Sequence, residues 1–314
     1  MQRLNETMYF IVNPMAGNKG SIKTWKKVEE ILKSEDVPYE VFFTKEKGHA
    51  LRLTKEILSQ TNQKTRMIAV GGDGTLHELV NGAAEFPHAI IGSLAAGSGN
   101  DYVRGVQKTK SAEEALSLFQ DNVVRVIDIG QFETNGQTGY FMNSLGMGID
   151  AEISYEADRS PLKKWFNLVK AGKLIYLFIF IKKLFTYRPS YMNLTVDGNI
   201  HQLKKVWFIV IANQPYFGGG MKISPKSKPD DSMLDVIAVH DISIMKLLTV
   251  FITVLWGGHL NINNVDFFSG KMIQIKNFGS VKIQSDGEIV GMDEVAVEVL
   301  KEKISVMFKG HISL

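Results

Sequence analysis

The chain of 314 residues contains no cysteine, so it holds neither a disulfide scaffold nor a thiolate metal site, which fits a reducing compartment. A strong charge of either sign is also missing. The formal net charge is +3, and no basic stripe with interleaved aromatics stands out in the first half, so no nucleic-acid partner is expected. Nor is there an apolar run long enough to span a bilayer: Leu174 to Ile181 and Ile244 to Trp256 both fall short of the roughly 20 residues required. Met1 to Glu6 leads directly into a strand too short for a signal-peptide core. These features predict a cytoplasmic protein. No internal repeat or low-complexity segment is visible, and the 45% apolar, 22% charged composition is that of a globular chain.

Short apolar runs alternate with helical patterns over the first part. Met8 to Val12, Tyr39 to Phe43, Met67 to Val70 and Ala89 to Leu94 read as strands. Ile22, Trp25, Val28 and Ile31 mark one helix face, and Ala50, Leu53, Ile57 and Leu58 another. Ser111 to Glu114 has capping-box spacing. Such alternation predicts an α/β domain with a parallel sheet covered on both faces. After about Val123 the texture changes to strands with Asn135-Gly136, Asp197-Gly198 and Asp286-Gly287, all hairpin signals. A mainly antiparallel second domain is expected from about Ile129, interrupted by helices near Leu162 to Phe185 and Ile244 to Trp256. Exposed sheet edges there leave a homodimer open.

Three strand-to-helix loops carry the chemistry. "GGDGT" from Gly71 to Thr75 places glycines and one carboxylate where a parallel sheet binds ligands. Thr75 and Glu78 are spaced as a capping box, which predicts a helix start at Thr75 with free N–H groups facing the turn. A carboxylate repels phosphate unless a cation bridges them, so Asp73 points to Mg²⁺. Gly97-Ser98-Gly99-Asn100-Asp101 repeats the arrangement, and Asn13-Pro14-Met15-Ala16-Gly17 forms a third loop. Each alone is explained by a tight turn or an N-cap; together they suggest a polyphosphate site with its metal.

These three loops resemble those of the bacterial diacylglycerol kinase family of lipid kinases, whose catalytic domain is similar to that of diacylglycerol, sphingosine and ceramide kinases. "FGGGMKISPKSKPDDSMLDV", Phe217 to Val236, resembles the family's segment before its structural-metal site. The Gly-Gly-Asp-Gly element alone is shared with NAD kinases and phosphofructokinases.

The resemblance implies a nucleotide-binding α/β domain over 1–128, a mainly antiparallel β-sandwich-like lipid-substrate domain over 129–290 with the active site in the cleft between them, and a tail over 291–314 returning to the first. It implies ATP bound by Asn13, Pro14, Met15, Ala16, Gly17, Thr44, Gly72, Asp73, Gly74, Thr75, Leu76, His77, Glu78 and Ser98, with Asp73 and Asp101 holding Mg²⁺. Glu288 would be the base that activates the acceptor hydroxyl, a role its Asp-Gly turn alone does not reveal. A structural Mg²⁺ would be held by the backbone carbonyls of Lys228 and Met233 and the side chain of Asp231. The family has glycine after this aspartate where Ser232 stands here.

The implied partner is a lipid acceptor at a membrane surface, reached from the inner face of the cell membrane. "KKWFNLVKAGKLIYLFIFIKKLFTYR", Lys163 to Arg188, mixes lysines with aromatics and suits either an interfacial helix or a core helix with snorkelling lysines. Ile244 to Trp256 reads as core. Two other readings compete: a kinase of a soluble acceptor, as in NAD kinases, and a non-catalytic nucleotide-dependent lipid-binding protein.

Overall fold

The computed structural model describes residues 6–97, 99–120, 123–160 and 172–309. Two compact units are present, residues 1–127 with 302–314, and residues 128–301. Residues 291–301, expected in the tail, lie with the second unit.

In the first unit the strands β1 (Met8–Val12), β2 (Tyr39–Phe43), β3 (Thr65–Gly71) and β4 (Ala89–Ala95) pair in parallel in the order β4-β3-β1-β2. β3 and the first six residues of β4 are buried, because a parallel sheet covered on both faces must be apolar throughout. Helices α1 (Gly20–Ser34), α2 (His49–Ser59), α3 (Asp73–Ala83) and α4 (Ala112–Gln120) supply the connections. Trp25, Val28 and Leu32 of α1 and Leu116 and Phe119 of α4 pack on Phe10, Ile68 and Ile90. Each such fully buried side chain contributes about 1.5–3 kcal/mol. The Ser111 hydroxyl accepts the Glu114 N–H at 3.1 Å and caps α4 as its spacing predicts, while Glu114 returns to the Lys110 N–H. Ser305 and Val306, near the end of the long strand β15 (Glu294–Met307), pair in parallel with Ile90 and Ile91.

The second unit is antiparallel. Strands β5 (Val124–Thr134) and β6 (Gln137–Phe141), β8 (Ser190–Val196) and β9 (Asn199–Ala212), and β13 (Lys282–Ser285) and β14 (Glu288–Met292) form hairpins. Both residues of each predicted turn have positive φ: 49° and 74° at Asn135-Gly136, 47° and 84° at Asp197-Gly198, 49° and 94° at Asp286-Gly287. That is the conformation that matches strand twist in two-residue loops. β9 is the backbone of the unit, pairing β8 early and both β7 (Ser144–Gly148) and β10 (Leu234–His240) late; β10 also pairs β11 (Val265–Gly270). β12 (Met272–Asn277) joins β8 to residues 294–298 of β15.

Alternation along β9 sends Ile209 and Ile211 to a core shared with Leu194, Ile275, Ile283 and Val295. Trp207, Val210 and Ala212 face the other way, under the helices Gly172–Thr186 and Ile244–Thr253. The helix expected from Leu162 is described only from Gly172, and residues 161–171 lie outside the described residues. Among the described residues no helix is long and apolar enough to cross a membrane.

Candidate active site

In the parallel sheet, the chain runs outward from β1 to β2, then crosses back to β3 on the other side of β1. Ligands bind outside the strand ends at such a reversal. The loops after β1, β3 and β4 lie there and touch. Gly17 has φ +57°, and a Cβ on it would sit 1.9 Å from the Ala96 carbonyl oxygen. A Cβ on Gly97 would sit 2.5 Å from the Gly72 Cα. Glycine is therefore required where the loops pass one another.

Polar side chains tie the same loops. The Asn13 amide donates to Thr75 Oγ1 at 3.3 Å across the reversal point, and its carbonyl Oδ1 accepts the Met15 N–H at 3.0 Å. Ser21 Oγ donates to the Asn13 carbonyl at 2.5 Å. The Asp73 carboxylate spans the second gap: Oδ2 accepts the Asn100 N–H at 2.7 Å and Oδ1 the Asp101 N–H at 2.9 Å. Asp101 is buried, with Oδ1 accepting from Arg104 at 2.9 Å. The structure thus brings Asp73 and Asp101 together, through a carboxylate-to-backbone clamp that local sequence does not reveal.

Several expected residues take different parts. α3 begins at Asp73, not Thr75, with Gly72 as its N-cap, and no side chain caps it there. Thr75 is instead buried inside the helix and bonded to Asn13, so the predicted capping box does not form. Glu78 reaches away to α2, where Oε1 accepts the Gly48 N–H at 2.7 Å and Oε2 the Ala50 N–H at 3.0 Å. A carboxylate satisfying the first N–H groups of a helix is favourable there. Leu76 is buried in the core, whereas Met15 is 73% exposed. His77 accepts from the Asn81 amide through its carbonyl at 2.9 Å. Thr44 follows β2, its N–H bonded to the Val12 carbonyl at 2.9 Å. Pro14, Ala16 and Gly74 lie in these loops and the first turn of α3, and Ser98 lies outside the described residues.

Sequence reasoning missed Gln107. Fully buried at the end of a π-helical turn (Val103–Gln107), its amide pairs with both backbone groups of Ser93 at 2.9 and 2.8 Å, standing in for a strand beside β4.

In the second unit, Glu288 opens β14 directly after the Asp286-Gly287 turn and is half-buried. The turn is more than a reversal of direction. The Asp286 carboxylate accepts the N–H groups of Met142, Asn143 and Ser144 at 3.1, 3.0 and 3.1 Å. Gly287 N–H donates to Gln284 Oε1 at 2.7 Å, and the Gln284 amide donates to Asp150 Oδ2 at 3.2 Å. Burial pushes the Asp150 carboxyl up to about 6, against the Gln284 amide and first-turn N–H groups that pull it down. The candidate base therefore sits on a turn held at both of its central residues.

Around Asp231, Ser232 has φ +61°, a left-handed conformation that glycine takes without strain, and its N–H donates to Asp128 Oδ2 at 2.7 Å. Partial burial and the nearby Asp235 and Asp128 charges raise the Asp231 carboxyl, while the Met233 N–H, donating to its Oδ1 at 3.1 Å, and Lys228 lower it. Excess negative charge beside hard carbonyl oxygens is chemically compatible with a divalent cation. Among the described residues no three His, Asp or Glu side chains gather closely enough to hold a metal, so Lys228, Asp231 and Met233 would bind one through carbonyls, a single carboxylate and water.

Both parts of the chain match known domain families. Residues 7–132 match the diacylglycerol kinase catalytic domain, and residues 143–308 the YegS C-terminal NAD kinase beta sandwich-like domain. The chain is 29% identical over 289 residues to YtlR of Bacillus subtilis, whose description as a lipid kinase is itself provisional; the match covers 90% of this chain and 93% of that one. It is 29% identical to a diacylglycerol kinase of the same organism, over 90% of this chain and 89% of the relative. A crystal structure of a diacylglycerol kinase from Bacillus anthracis superposes with a TM-score of 0.72 at 20% identity, over 98% of both chains, a likeness of fold. With both domain families matched in order, the chain belongs to the bacterial diacylglycerol kinase family and is a lipid kinase of that family.

Proposed function

We propose that the protein is an ATP- and Mg²⁺-dependent kinase that transfers the γ-phosphoryl group to the free hydroxyl of diacylglycerol or a related lipid, giving phosphatidic acid or its analogue. The observation that carries this reading is the contact of three glycine-bearing loops at the reversal point of the parallel sheet, with Asp73 and Asp101 joined there. The α3 N-terminus at Gly72, which no side chain caps, offers backbone N–H groups to phosphate oxygens. Asp73 and Asp101 fit a cation that is largely water-coordinated. The Asp73 carboxylate, held by the Asn100 and Asp101 N–H groups, would face the metal through water molecules of its coordination shell. Mg²⁺ would supply charge neutralisation for the transferring phosphoryl group.

Glu288 would accept the proton of the attacking hydroxyl, its carboxylate steadied by the hairpin that Asp286 and Gln284 hold. Attack would be direct, with no phospho-enzyme. The enzyme would act as a cytoplasmic protein peripheral to the inner face of the membrane. Lys228, Asp231 and Met233 would hold the structural Mg²⁺ and brace the second domain.

The deciding experiment incubates the pure protein with labelled ATP, Mg²⁺, and either dispersed diacylglycerol, a panel of other lipids, or soluble alcohols. Phosphorylated lipid whose rate follows surface concentration is expected, with Asp73→Ala and Glu288→Ala inactive yet folded. Product on a soluble acceptor alone would transfer the assignment to the NAD kinase-like chemistry. Tight ATP binding with no product on any acceptor would remove catalysis altogether.

A further inference from the structure

Two neighbouring helices of the second unit turn apolar faces to solvent. On Gly172–Thr186, Leu177, Phe178, Ile181 and Phe185 are exposed, Phe185 by 74%, while Ile175, Ile179, Phe180 and Leu184 are buried. At 3.6 residues per turn the four exposed residues share about 100° of arc. On Ile244–Thr253 and the turn after it, Met245, Ile252 and Trp256 stand exposed at spacings of seven and four, opposite the buried Leu247, Val250 and Val254. Sequence reading placed this second run in the core, and only one face of it is there. The Phe180 and Phe251 rings stack with centroids 4.1 Å apart, so the two helices lie side by side.

Charge separates the occupants that could cover this face. From Ser160 to Val196 the sequence has no Asp or Glu and seven Lys or Arg, at 163, 164, 170, 173, 182, 183 and 188. From Ile242 to Val265 it has no acidic residue and one lysine, Lys246. Lys182 and Lys183 pair with Glu156 and Glu152 of α5 (Ile149–Arg159), so among the described side chains the remaining positive charge comes from Arg188 and Lys246. A second copy seated on this face would bring like charge against like charge. A bilayer containing anionic lipid meets both features, with Trp256, Phe178 and Phe185 in the headgroup boundary and the positive charge of Arg188 and Lys246 drawn to phosphates.

We infer that the paired helices Gly172–Thr186 and Ile244–Thr253 form the surface by which the enzyme docks on an anionic membrane. The inference rests on the lipid-kinase reading, but its test is independent of turnover. Sedimentation with vesicles of phosphatidylcholine containing phosphatidylglycerol, without ATP, should show binding that weakens as salt rises and is lost on phosphatidylcholine alone. The double variant Phe178→Ser, Phe185→Ser should weaken partitioning about tenfold or more while leaving the melting temperature and turnover on a dissolved short-chain diacylglycerol unchanged. Should that variant fail to fold, Met245→Ser with Trp256→Ser on the other helix gives the same readout. Vesicle binding that survives both variants overturns the inference. So does a concentration-dependent doubling of mass that the variants abolish, because the face would then be an interface between copies. Vesicle binding with no lipid phosphorylation would instead keep this surface and discard the catalytic reading.

Discussion

The Asp101 backbone N–H is held by the Asp73 carboxylate at 2.9 Å, with the neighbouring Asn100 N–H on its second oxygen at 2.7 Å. One side chain therefore fixes the loop after β4 and presents negative charge at the α3 N-terminus. The two roles separate by mutation. Asp73→Ala removes two charge-assisted hydrogen bonds and should cost about 2–4 kcal/mol of stability. Asp73→Asn keeps one acceptor and should cost less, yet it removes the metal-directed charge, so lipid phosphorylation should fall at least about a hundredfold. Thermal melts alongside initial rates check this; an Asn variant with wild-type turnover would exclude the charge from the mechanism.

Glu78 is engaged at α2, bonded to the Gly48 and Ala50 N–H groups. Glu78→Ala should lower unfolding free energy by about 1–3 kcal/mol in a denaturant titration. Nucleotide affinity should change by less than about threefold at temperatures where the variant is folded. A large loss of ATP affinity with unchanged stability would return this residue to the nucleotide site.

Ser232 adopts φ +61°. Ser232→Gly should relieve left-handed strain and raise stability by about 1 kcal/mol, less the entropy glycine adds to the unfolded chain. Its N–H bond to Asp128 should persist. A melting temperature that falls would mean the serine hydroxyl makes a contribution of its own.

Asp150 carries a pH signature. Its carboxyl ordinarily titrates at 3.8, and burial raises it to about 6 in the folded protein. The folded state thus binds the proton more tightly than the unfolded chain, so this group's contribution to stability falls as pH rises from about 4 to about 6. Asp150→Asn should raise the melting temperature at pH 7, by up to about 2–3 kcal/mol of stability, and leave it nearly unchanged near pH 4. An equal shift at both pH values would point to packing against Gly146, whose Cβ position lies 1.8 Å from Asp150 Oδ2.

What the sequence revealed and what it concealed follow one physical division. Strand alternation, the capping of α4 and the three two-residue hairpin turns depend on neighbours within a few positions, and each forms as read. The loops Asn13–Gly17, Gly71–Thr75 and Gly97–Asp101 were legible because glycine marks close approach. The partners of their side chains were not. Asp73 reaches 27 and 28 residues along the chain, Glu78 spans 30, and Asp286 meets the N–H groups of Met142 to Ser144 more than 140 residues away. Thr75 and Glu78 have capping-box spacing, but tertiary partners outcompeted the local bond.

β15 belongs to both units by pairing: residues 294–298 lie beside β12, and Ser305 and Val306 beside β4. The first unit, cut at Ile127, is therefore not a self-sufficient fragment. A piece ending at Ile127 would leave β4 paired with β3 alone and without β15 on its other side, an unprotected margin inviting aggregation. Trimming the last dozen residues would strip the same margin from the intact enzyme. Production of the first unit alone calls for the terminal strand to be grafted back onto it.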